Sequence, residues 1–156
     1  MILVMRESQK KMETEQRYGL YQKTLAEIIP LRLQAHERVI LLLERISPEN
    51  LLIRVDARGK DCGYFQRELI AEIRREYEHN IAQQLYIKSE TWKGVVVAKE
   101  QVIALINASA KQVDPKAAGV ALGKLVLNKM VQTEEVMPTH RAVRALKEDI
   151  QGMFKL

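Results

Sequence analysis

The sequence predicts an all-α protein, an irregular bundle of five to six helices led by a long, Pro30-kinked amino-terminal helix. Three observations point there. Only 7 Gly and 4 Pro punctuate 156 residues, so the chain offers few turn signals. The residues between them are mostly Ala, Leu, Glu, Lys, Arg, Gln and Ile, which are good helix formers. Apolar residues recur three and four apart through long windows, the period of a helix with one buried face. With 47% hydrophobic residues the chain can build one real core and is too short for two. We expect residues 1–30 to form a helical stem and residues 31–156 a single bundle domain.

The opening MILVM has too few apolar residues for a membrane span, which needs about 20, or for a signal-peptide core. From Arg6 to Ile29 the apolar stripe is thin: Tyr18, Tyr21, Leu25 and Ile28. Before Tyr18 almost no apolar face exists, so that segment should project as an exposed helix, fray, or find a partner chain. Pro30 removes a backbone donor and predicts a kink or a short break. In Leu31–Val55 the run Val39, Ile40, Leu41, Leu42, Leu43 is apolar on every face, which predicts a central column enclosed by other helices. The stripe there is Leu33, His36, Ile40 and Leu43.

Ser47 and Pro48 read as an N-cap and first helical turn. Leu51 to Val55 is a helical turn or extended chain, and Asp56 to Gly63 an exposed loop that would hold Cys62. Asp61 can cap the next helix, whose apolar residues Phe65, Leu69, Ile73, Tyr77, Ile81 and Leu85 step mainly by four, so that its two ends face different neighbours. Ser89 is the expected cap of the most regular helix, with Trp92, Val96, Lys99, Ile103, Ile106 and Ala110 on one face. Asp114 and Pro115 predict the start of a helix from Lys116 to Gln132, where Gly119 and Gly123 permit close helix approach. After a loop with Glu134 and Glu135, the last helix runs from about Thr139 to Phe154. It places Val143, Leu146, Ile150 and Met153 or Phe154 inward and Arg141, Arg144, Lys147, Glu148 and Asp149 elsewhere.

Charge and residue types narrow the chemistry. Lys and Arg number 25 against 20 Asp and Glu, a net charge of +5, but the excess is spread. Arg74 and Arg75 are offset by Glu72, Glu76 and Glu78, which suits a solvated helix face better than a basic nucleic-acid stripe. Weak binding to nucleic acid or anionic lipid is thus a lesser alternative. Cys62 is the lone cysteine, so no intramolecular disulfide can form, and nothing argues for an oxidising compartment. Glu76 and His79, three apart, form half of the ligand set of a di-metal carboxylate bundle. Neither His36 nor His140 supplies the second Glu-x-x-His, so no metal, cofactor or catalytic residue is expected. A site near His36, Glu76 and His79, with Glu37 and Lys99, is the alternative. As structural residues, His36 is a core histidine and Lys99 lies its stem along the core with its ammonium at the edge.

The segments LRLQAHERVILLLERISPENLLIRV and RELIAEIRREYEHNIAQQLYIKSETWKGVVVAKEQVIALIN resemble an uncharacterised family of small bacterial helical proteins, over about Leu31 to Asn107. The resemblance implies an amino-terminal hydrophobic anchor, a charged helical stem and a helical domain on the cytoplasmic side of a membrane, with no assigned activity. MILVM is at most the remnant of such an anchor. Residues and resemblance together predict a non-enzymatic interaction or scaffold protein, cytoplasmic or near the membrane face. It would bind a protein partner or a second copy through the amino-terminal helix, and no small-molecule substrate is inferred.

Overall fold

The computed structural model describes residues 2–133 and 136–154, with the side chains of residues 2 and 3 left aside. Glu134 and Glu135, and Met1 of the MILVM opening, lie outside the described residues. The elements in order are α1 (Ile2–Ile46), α2 (Pro48–Arg54), α3 (Cys62–Asn80), a 3-10 turn (Ile81–Tyr86), α4 (Ser89–Ala110), α5 (Gly119–Gln132) and α6 (Pro138–Met153). Among the described residues there is no β-strand, only an isolated antiparallel bridge between Asp61 and Ala118. Among the described residues the fold is all-α with six α-helices, and the long first helix runs through Pro30 without a break. The chain divides into two compact units, residues 1–34 and 35–156.

In the first unit almost every described side chain is exposed, with Leu25 and Ile29 half-buried. The second unit contains the core. Its share of α1 buries Ala35, His36, Val39, Leu42, Leu43 and Ile46, positions that fall on one side of a helix at 3.6 residues per turn. Leu41, on the opposite side, is 62% exposed. The enclosed column expected from the valine-to-leucine run is therefore wrong: α1 is covered on one face only. Leu33, expected on the buried stripe, is also exposed.

Within the second unit, α4 packs on α3, α5 and α6, while α5 also meets α2 and α3. Phe65, Leu69 and Ile73 of α3 and Val95, Val102 and Ile106 of α4 are buried with Leu122, Val126 and Leu146. The stripe on α3 stops short of its expected length. The helix ends at Asn80 and Leu85, in the 3-10 turn, is 79% exposed. Three boundaries also shift. Lys88 rather than Ser89 occupies the N-cap of α4. Ser47 sits at the N-cap of α2, but its hydroxyl donates backwards to the Glu44 carbonyl at 2.8 Å. Asp114 does not start α5; its carboxylate accepts from the Lys116 amide in a local turn, and the helix begins at Gly119.

That later start serves a junction between two loops. The amides of Cys62, Gly63 and Gly119 donate to the carbonyls of Ala117, Pro115 and Lys60 at 2.8, 3.0 and 2.8 Å. Asp61 caps α3 as expected, its carboxylate accepting from the Tyr64 amide at 2.7 Å. Cys62 is not a loop cysteine: it is the first residue of α3, buried, with its thiol donating to the Ala118 carbonyl at 3.2 Å. Gly119 is required here. A Cβ on it would stand 3.1 Å from both the Lys60 carbonyl oxygen and the Phe65 Cβ, and 3.3 Å from the Ala57 carbonyl oxygen.

Gly119→Ala should therefore lower stability by about 1–3 kcal/mol, because backbone carbonyls have no room to yield. Gly94→Ala, in α4 with nothing within 4 Å of the added carbon, should raise it by about 0.5–1 kcal/mol through helix propensity alone. Urea unfolding of both variants checks the pair; equal effects would contradict this geometry.

Candidate interaction site

The residues singled out from the sequence do not converge. His36 is 1% exposed and its Nε2 lies 3.6 Å from Oδ2 of Asp149. Glu76 is instead paired with Arg45, at 2.7 Å from Nε and 2.5 Å from Nη2. Arg45 stands nine residues beyond His36 on α1, roughly 13 Å along the helix. His79 and Glu37 are exposed. Lys99 places its ammonium 4.2 Å from the centroid of the Tyr77 ring and 2.8 Å from Glu100, a cation held at the edge of the core. The Tyr77 ring in turn lies 5.8 Å from Trp92, which fixes α4 against α3. Among the described residues no three His, Cys, Asp or Glu are grouped to hold a metal ion.

The polar cluster that does form was missed because its acid appeared to be on the outside. Asp149 of α6, assigned above to the polar side, is 8% exposed. Its Oδ1 pairs with the Lys88 ammonium at 2.7 Å, and its Oδ2 accepts from the Thr91 hydroxyl at 2.9 Å. Asp149 thus joins the start of α4 to α6 and reaches His36 on α1. Burial pushes its carboxyl pKa up, but the Lys88 and Thr91 hydrogen bonds and the nearby cationic charge outweigh this and leave it below its ordinary value. The signal was available in the spacing: Ala142, Leu146 and Asp149 follow one another at steps of four and three.

A second cluster covers the α1–α2–α3 corner. Arg54 meets Glu72 at 3.0 Å and Glu76 at 3.7 Å, and Glu72 also pairs with Arg75. The Glu76 carboxyl is held below its usual value, chiefly by the hydrogen bond from Arg45 against the opposing pull of burial. In both clusters the acids pair with cations of the same chain and tie neighbouring elements together.

Open clefts of about 570 and 480 Å³ lie beside Arg67, Arg74 and Glu78 of α3 and beside Arg6, Lys10 and Glu13 of α1, and one of about 230 Å³ is lined by Arg54, Glu72 and Arg75 of the second cluster. A cavity of about 150 Å³ between α4, the end of α5 and the start of α6 is lined by residues including Val102, Leu105, Met130 and Met137. Sites for drug-sized ligands usually run from about 300 Å³ upward.

Exposed apolar residues stand on both units, with Ile53, Leu85 and Val131 the most exposed of the second. In the first unit Met5, Met12, Tyr18, Leu20 and Tyr21 are each more than half exposed, Leu20 at 67%. No helix among the described residues is long and apolar enough to cross a membrane. The model of a family of unknown function, DUF7935, matches residues 1–153. That span takes in the whole stem as well as the bundle, beyond the Leu31–Asn107 stretch that carried the resemblance. No curated protein and no solved structure matches the chain.

Asp149→Asn should cost about 1–3 kcal/mol at neutral pH, by weakening the Lys88 pairing around a buried group. Because the folded-state carboxyl is lowered, its contribution is present above the ordinary value of 3.8 and is lost as pH falls below it. Urea titrations from neutral to acid pH should thus show a smaller acid loss in the variant than in the parent. A parallel loss would show that Asp149 does not titrate as its contacts require.

Proposed function

The chain belongs to the DUF7935 family, to which no function is assigned, and we propose that it acts as a non-enzymatic interaction protein through α1, from Val4 to Leu33. The observation that carries this reading is the run of exposed methionines, leucines and tyrosines on a helix of 45 residues. Scattered apolar side chains are ordinary on a surface. Tyr18, Tyr21, Leu25 and Ile28, three and four apart and exposed or half-buried, form the kind of stripe that helix-on-helix recognition uses. The cation-paired acids Glu72, Glu76 and Asp149 of the second unit support the same reading, because they serve to join helices. A cytoplasmic setting is part of the proposal and rests on the single buried thiol, Cys62.

The test is a photo-reactive amino acid placed at Tyr18, at Leu20, or at Val131, which is 87% exposed on α5, in the cells of origin. Discrete adducts at Tyr18 and Leu20 and none at Val131 are expected. Adducts at Val131 alone, or equally at all three, would overturn the assignment of the contact surface to α1.

A further inference from the structure

The cavity between α4, the end of α5 and the start of α6 has a polar lip and an apolar body. Gln101, Thr133 and Arg141 are exposed and border its mouth, whereas Val102 is buried and Leu105, Met130 and Met137 are half-buried. Its volume is about 150 Å³. A dry apolar cavity of about that size accepts a benzene ring. Two of its lining residues are methionines, whose unbranched, polarisable thioethers adapt to a guest and favour contact with an aromatic ring. Arg141 brings the charge. It stands in the first turn of α6, a turn with no acidic residue, at the positive end of the helix dipole where a cation is disfavoured. Its Nη2 lies 3.5 Å from the Val136 carbonyl oxygen, long for a hydrogen bond. Among the described residues no carboxylate pairs with it.

We propose that this cavity binds a small aromatic monocarboxylate, its ring against Val102, Leu105, Met130 and Met137 and its carboxylate paired with the Arg141 guanidinium. A guanidinium fork matches the two oxygens of a carboxylate. Gln101 and Thr133 add neutral donors at the same lip. The volume sets the size of the ligand, because one ring fits where a drug-sized molecule does not. A bare anion such as acetate would leave the apolar body unfilled, and an uncharged ring would leave the arginine without its counter-charge. Both halves of the ligand are needed. The site lies within the second unit and stands apart from the role proposed for α1.

The test titrates the full chain, labelled at its methionine methyl groups, with benzoate, benzyl alcohol and acetate in turn, and follows the methyl signals by NMR. Benzoate is expected to shift Met130 and Met137 to saturation with a Kd of about 1 mM, the affinity that so small a ligand can reach. Met5 and Met12 of α1 should stay in place. Benzyl alcohol should bind about tenfold more weakly for want of the charged pair, and acetate should not saturate. Arg141→Gln should weaken benzoate about tenfold and leave benzyl alcohol within about twofold of the parent. Arg141 is exposed, so this variant should keep the circular dichroism and the free methyl spectrum of the parent. Benzoate that fails to saturate, or that moves Met5 and Met12 as much as Met130 and Met137, would overturn the site. Equal binding of benzoate and benzyl alcohol, or an Arg141→Gln protein that binds benzoate as the parent does, would overturn the carboxylate's pairing. Acetate that saturates the same signals at the affinity of benzoate would overturn the seat for the ring.

Discussion

An ionised carboxylate moved out of water must be given hydrogen bonds and a counter-charge, or it disrupts the core around it. Asp149 meets that requirement through Thr91 and Lys88. Because those residues open α4 while Asp149 lies near the end of α6, one buried oxygen pair fixes how the two helices run past each other. His36, a few ångströms away, extends the same arrangement to α1. The order of the second unit depends on this contact more than on any single apolar pair, since leucines tolerate sliding and a bonded carboxylate does not.

Ion pairs and a cation–ring contact also engage other charged residues of the second unit. Glu72 and Glu76 are each engaged by arginines from neighbouring elements, and the Lys99 ammonium rests over Tyr77. Residue types that could have formed an acid–base pair or a metal site are instead divided between clamps on opposite parts of the unit. Exposed apolar side chains stand on both units, among them Tyr18, Leu20 and Tyr21 on α1 and Ile53, Leu85 and Val131 beyond it.

Much of this could be read from the residues. Periods of three and four announce the helices, and Asp61 announces the start of α3. The errors share a cause. The run from Val39 to Leu43 is apolar on all sides, but a sequence does not say how many neighbours a helix has, and Leu41 faces water. Asp149 was placed outside because charge was given more weight than its spacing from Leu146. Gly119 and Cys62 were misplaced because their positions depend on loops that lie far apart in sequence and meet only in the folded chain. The scatter of His36, Glu76 and His79 over separate clusters was likewise invisible, since spacing within one helix says nothing about which residues of another it will meet.

The role proposed for α1 rests on one contrast: the buried acid Asp149 is paired within the chain, whereas Tyr18, Leu20 and Tyr21 stand exposed on the first unit. Tyrosine nitration measures it directly, because Tyr18 and Tyr21 lie on the first unit while Tyr64 is comparably exposed on α3. Labelling in intact cells should spare Tyr18 and Tyr21 relative to highly diluted purified protein and modify Tyr64 equally in both. Equal labelling of all three tyrosines in the two settings would contradict the account.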